Sequence, residues 1–154
     1  MTSLYRYSEC GLTNIHLKNG FEVADIEGEE FLSIEDIHGL HVTIAQYFIG
    51  QDEPLSGCEL RFLRKLMNMS RRVIGDLFGV DQQTVGRWEN GETSIPKTVD
   101  ATLRQIYLES LNVSSNLTIV LQRLIGSRDT SLSQLVFEFV GSQWKFNPEL
   151  SKLN

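Results

Sequence analysis

Between Met69 and Gly91 the chain carries three punctuation marks that leave few folds open. Ser70 is a helix-capping hydroxyl, Gly79 suits the left-handed end of a helix, and Asp81 offers a second cap two residues later. The spacing predicts two short helices, Arg71–Phe78 and Asp81 through Glu89, joined by a turn too tight to let them part. Ile74, Leu77, Phe78, Val80, Val85 and Trp88 fall where the two can pack together, and Gly75 removes a side chain at their closest approach. Gln82, Gln83, Gly86 and Arg87 share the opposite stripe of the second helix. This stripe has the chemistry to read DNA: glutamine bonds adenine bidentately and arginine does so to guanine. Gly86 costs helix propensity and suggests a close approach to the groove.

The flanks supply the remaining helices. Ser56 and Glu59 form a capping-box pattern before Leu60, Leu63 and Met67, and Pro96 opens a fourth helix carrying Val99, Leu103 and Ile106. Four short helices of this kind need one another to bury their apolar faces.

The segment Met69 to Gly91 resembles the phage-repressor (Xre) family of helix-turn-helix regulators, most specifically in Arg87-Trp88-Glu89-Asn90-Gly91. The resemblance covers roughly residues 56–107. It departs at Arg71, where the family usually has glutamine, and an arginine there is suited to gripping a phosphate. The order of a small mixed domain before such a helical domain is similar to the MqsA antitoxin group, with Asp36-Ile37-His38-Gly39-Leu40 as the strongest link. That likeness places the group's base-reading positions on Gln83 and Arg87. It also places the second pair of the group's four zinc cysteines on Val42 and Ala45, so the zinc cysteines are absent.

Charge is divided along the chain. The net charge is −6, yet residues 1–55 hold ten acidic side chains against two basic, while residues 56–107 hold eight basic against six acidic. Five of those eight lie between Arg61 and Arg72, so only the middle suits a polyanion. The DNA-binding set expected from helix position and charge is Arg71, Arg72, Gln82, Gln83, Thr84, Arg87 and Asn90. Arg61, Arg64 and Lys65 complete the basic cluster, and Trp88 is expected in the core.

The expected class is α+β, with an acidic N-terminal α+β domain at 1–52, the helix-turn-helix domain at 53–110 and a C-terminal helix and β-hairpin at 111–154. Ile15 to Lys18 and Phe21 to Ile26 flank Asn19-Gly20, the pair that favours a tight hairpin turn; Glu27-Gly28 offers another before Glu30 to Leu32. Ser33 with Asp36 is expected to cap a helix carrying Ile34, Ile37, Ile44 and Phe48, and 50–55 to form a linker. Later, Leu117 to Ile125 has helical spacing, Leu135 to Phe146 reads as a hairpin turning at Gly141-Ser142, and 149–154 is expected to fray.

Catalytic signatures are missing, so an enzyme is not expected. Cys10 with His38 and His41 could form a metal site, but the paired-cysteine spacings are lacking and neither metal nor cofactor is expected. With no membrane span or signal pattern, a cytoplasmic protein is expected. The resulting expectation is a homodimeric repressor, often autoregulatory in this family, whose Asp81–Glu89 helices enter successive major grooves of an inverted-repeat operator, half-sites ~34–36 Å apart. The alternative is an antitoxin-type interaction protein whose acidic N-terminal domain binds a protein partner.

Overall fold

The computed structural model describes residues 3–110 and 134–152. Six strands and six helices in these residues make an α+β chain, in the order β1 (Tyr5–Arg6), β2 (Ile15–Leu17), β3 (Phe21–Ile26), β4 (Glu29–Ile34), α1 (Ile37–Ile49), α2 (Gly57–Leu66), α3 (Arg71–Phe78), α4 (Gln82–Glu89), α5 (Lys97–Ser110), β5 (Leu135–Val140), β6 (Gln143–Asn147) and α6 (Pro148–Ser151). The chain divides into two compact units, 1–47 with 129–154, and 48–128. The helix expected over Leu117 to Ile125 lies outside the described residues.

The first unit is built on a four-stranded sheet of order β1-β2-β5-β6. β1 and β6 pair antiparallel with their neighbours, whereas β2 and β5 are parallel, with Ile15 opposite Leu135 and Leu17 opposite Phe137. A parallel pair needs a long crossover. Here the crossover contains the whole helical region, so β5 and β6 complete a sheet begun near the N-terminus. Tyr7, Leu12, Ile15, Leu17, Leu40, Ile44, Phe137 and Trp144 are buried, which places Trp144 and Phe137 in the core of one chain.

Two turns differ from the sequence expectation. Asn19-Gly20 does not close a hairpin, because β2 and β3 belong to different sheets. A type I′ turn needs positive φ at both central residues, and only Gly20 (φ 77°) has it. Asn19 instead uses its side chain: Oδ1 accepts the Phe139 amide at 2.7 Å. A Cβ on Gly20 would stand 2.7 Å from the Trp144 ring, so glycine is required by close packing at this corner. The I′ turn occurs at Glu27-Gly28 (φ 56° and 86°), joining β3 to β4 with Ile26 opposite Glu29. β4 then runs through Ser33 to Ile34, opposite Phe21, and Ser33 is no cap. That role passes to Asp36, whose Oδ1 accepts the Gly39 amide at 3.2 Å.

The β3–β4 sheet has two strands only, and Val23, Ile26 and Phe31 are each about half exposed on it. The C-terminal hairpin forms as expected, with positive φ at both Gly141 and Ser142. Fraying from 149 is not observed among the described residues, which end at Lys152; 153–154 lie outside them. Pro148–Ser151 is helical, and the buried Ser151 hydroxyl accepts the Val136 amide while donating to the Asn147 carbonyl.

The second unit holds α2 to α5 around Leu60, Ile74, Val85, Trp88, Val99 and Leu103, with Met67, Met69, Phe78, Val80 and Ile95 packed against them. The segment 50–55, expected as a linker, is pinned. Arg104, buried on α5, donates to the carbonyls of Phe48, Ile49, Gln51 and Glu53 and to Asp100 Oδ1 at 2.6 Å. Asp100 Oδ2 in turn accepts the Leu55 amide at 2.7 Å. Carbonyls left open in the last turn of α1 and just beyond it thus obtain partners from one guanidinium.

Cys10 and Cys58 are free thiols. His41 Nε2 and the Tyr7 hydroxyl share a hydrogen bond of 2.8 Å, and no group of three or more candidate metal ligands occurs among the described residues. Burial pushes the Tyr7 phenol up to about 12. Burial, with a smaller contribution from His38, lowers the His41 pKa below its usual 6.5. The unfolded chain therefore binds a proton in a range where the native state does not, and stability rises with pH there. Denaturant unfolding should show stability falling as pH drops from 6.5 through the lower native value, and His41→Gln should flatten that dependence.

Candidate nucleic-acid interface

Each short helix of the second unit is set by local chemistry. Ser56 accepts the Glu59 amide while Glu59 accepts the Ser56 amide, a complete capping box on α2. Ser70 Oγ accepts the Val73 amide to start α3, and Gly79 ends it at φ 70°. Asp81 Oδ1 accepts both the Thr84 amide (2.7 Å) and the Thr84 hydroxyl (2.8 Å) to start α4. Those two bonds, the amide first, hold the Asp81 carboxyl below its ordinary pKa. The cap is complete above the usual aspartate range and is lost as pH falls through the depressed value. A Cβ on Gly75 would meet the Val80 carbonyl at 2.5 Å, so the α3–α4 turn requires a residue without a side chain there.

This frame presents Gln82, Gln83, Arg87 and Asn90 in exposed positions on and just beyond α4, with Thr84 half-buried by its cap bond. Asn90 is the C-cap residue. Arg72 is exposed at the start of α3, as are Arg61 and Lys65 on α2. Leu77 departs from the expected packing and is exposed, while Trp88 is buried in the core.

Two residues of the basic cluster are otherwise engaged. Arg64 is buried, donating through Nε to Glu89 Oε2 at 2.5 Å, through Nη2 to Oε1 at 3.1 Å and through Nη1 to the Met69 carbonyl. Arg71 Nε donates to the same Glu89 Oε1 at 3.0 Å. Gly86 is buried and not on the open stripe: a Cβ there would stand 3.2 Å from Arg71 Nη1. Sequence reasoning missed Glu89 as the common partner of these arginines. The available signal was its position beside Val85 and Trp88, on the face that turns inward, together with Arg64 one turn after Leu60.

Residues 60–99 match a helix-turn-helix family. The match supports a DNA-binding transcription regulator, and the family is one of DNA-binding regulatory domains, not of enzymes. It covers α2 from its fourth residue, all of α3 and α4, and the start of α5. No curated protein and no solved structure matches the chain. No helix among the described residues is long and apolar enough to cross a membrane.

The shared carboxylate makes this unit sensitive to loss of a partner. Arg64→Ala leaves the fully buried Glu89 carboxylate short of its main ion pair and should cost about 3–5 kcal/mol. Urea unfolding of the parent and the variant measures the loss.

Proposed function

We propose that the protein is a sequence-specific DNA-binding repressor that acts in the cytoplasm as a homodimer on an inverted-repeat operator, and that it regulates its own promoter. The observation that carries this reading is the polar face of α4, with Gln83 and Arg87 exposed four residues apart on a helix whose other face is locked into the core by Val85 and Trp88. α4 enters the major groove, where Arg87 reads guanine and Gln82 or Gln83 reads adenine. Thr84, Asn90 and Arg72 add contacts around it, and Arg71 holds a phosphate.

Fluorescence anisotropy on the DNA upstream of its own gene, against a scrambled duplex at about 0.15 M salt, tests the reading. An affinity ~1000-fold tighter for the upstream DNA is expected, and equal weak binding to both would reject an autoregulatory operator. Arg87→Ala should lose about 1–3 kcal/mol of specific binding and relax one base preference, whereas equal affinity of variant and parent would remove Arg87 from the base contacts.

A second reading, an antitoxin-type protein whose N-terminal region binds a protein partner, is favoured by the β3–β4 sheet. On one of its faces the exposed Ile26 and Phe31 lie beside Glu22 and Glu29, a combination suited to a basic partner with apolar contacts. Exchanging Ile26 and Phe31, which share one face of the sheet, for serine should abolish co-purification with such a partner while preserving DNA affinity. Retention of the partner by the variant would count against this surface.

A further inference from the structure

Gly86 sits inside a helix, where glycine is disfavoured relative to alanine. It does not terminate α4, which continues to Glu89, and its backbone has no positive φ. What it does is leave room. The three atoms nearest a Cβ at this position all belong to the Arg71 guanidinium: Nη1 at 3.2 Å, Cζ at 3.6 Å and Nε at 3.9 Å. One turn further on, Glu89 Oε1 accepts from Arg71 Nε at 3.0 Å, and that carboxylate is itself fixed by Arg64, through Nε on Oε2 and Nη2 on Oε1. The Arg71 side chain remains 38% exposed. A side chain from the first residue of α3 is therefore laid across α4 beside Gly86 and held there by its inner nitrogen, while more than a third of it stays open to solvent.

We propose that Gly86 and Glu89 form a seat on α4 that fixes the Arg71 guanidinium for contact with a backbone phosphate beside the groove that α4 enters. The proposal rests on the DNA-binding reading and deepens it: Gly86 and Glu89 are positioning residues that act through Arg71. A free arginine must be ordered before it can hold a phosphate, whereas a seated one presents its donors already oriented. The Arg64 guanidinium matters equally. With one arginine on Glu89 the carboxylate would be neutralised by Arg71 alone; with two, the group carries net positive charge toward the phosphate.

The test is a double-mutant cycle between Gly86→Ala and Arg71→Ala, read as affinity and as the salt dependence of binding. Gly86→Ala introduces the best helix former and keeps the fold, but its methyl forces the tethered guanidinium to move. It should weaken DNA binding about three- to tenfold and reduce the salt slope by a fraction of the ~0.9 expected for one phosphate contact, since the guanidinium shifts but keeps its charge. In the Arg71→Ala background the same change should have no further effect. Arg71→Lys, which keeps the charge but has no inner nitrogen for Glu89, should lose nearly as much as Arg71→Ala. An equal loss from Gly86→Ala with and without Arg71 would show that Gly86 faces DNA directly and would overturn the seat. Unchanged binding by Gly86→Ala would overturn it too.

The free protein separates failure of the seat from failure of the DNA-binding reading. The Arg71 Nε–H resonance should be resolved and slow to exchange in the parent, and shifted or lost in Gly86→Ala. Fast exchange in the parent would remove the seat even if DNA binds. A protected resonance in a protein that binds no DNA would retain the seat and reject the phosphate role.

Discussion

A carboxylate with no solvent exposure must find cations, and Glu89 does so by drawing Arg64 from α2 and Arg71 from α3 onto the end of α4. Three helices that are each too short to persist alone are tied at one point. The apolar cluster beneath them supplies the driving force for association, but burial is non-directional. The ion group has direction: fork-shaped donors and a planar acceptor admit few arrangements, so it constrains how the helices are rotated as well as how closely they approach. Leu60, Ile74 and Val85 could be exchanged for other apolar residues of similar volume with modest effect. Neither arginine can be replaced in this way.

A second buried guanidinium has a comparable role at the start of the helical unit. Arg104 is held by Asp100 and by carbonyls at the end of α1 and just beyond it. A segment whose Gly, Pro and acidic content reads as loose connection is thereby given a defined path. Composition describes what a segment can do when left alone, and it carries no information about an arginine some fifty positions away that gathers its backbone.

The same contrast explains which parts of the structure were legible in the sequence. Ser56, Ser70, Asp81 and Gly79 act within four residues of themselves, so the helices they bound were readable one at a time, as was the need for glycine at position 75. The Glu27-Gly28 and Gly141-Ser142 turns were legible for that reason as well. Asn19-Gly20 misled because its local preference for a hairpin was overridden by partners at Phe139 and Trp144, which are distant in sequence. Ser33 misled because β4 had two more rungs to complete opposite β3. At the candidate interface, the exposed Gln83 and Arg87 followed from helical spacing. The tethering of Arg71 and the burial of Arg64 did not, since both depend on a three-helix meeting point that spacing cannot reveal.

The parallel pairing of β2 with β5 bears on how the chain is made. A ribosome delivers β2 early and β5 only after the entire helical unit, a delay on the order of ten seconds at ordinary elongation rates. The helical unit, built of the consecutive elements α2 to α5, can form as it emerges. Throughout that interval β2 has one side of its backbone unpaired, and Ile15 and Leu17 lack the strand that lies beside them in the finished sheet. The nascent chain thus carries an unfinished strand ahead of its helical unit, so a premature stop before β5 would release a chain with a sheet edge open to pairing that the completed protein covers.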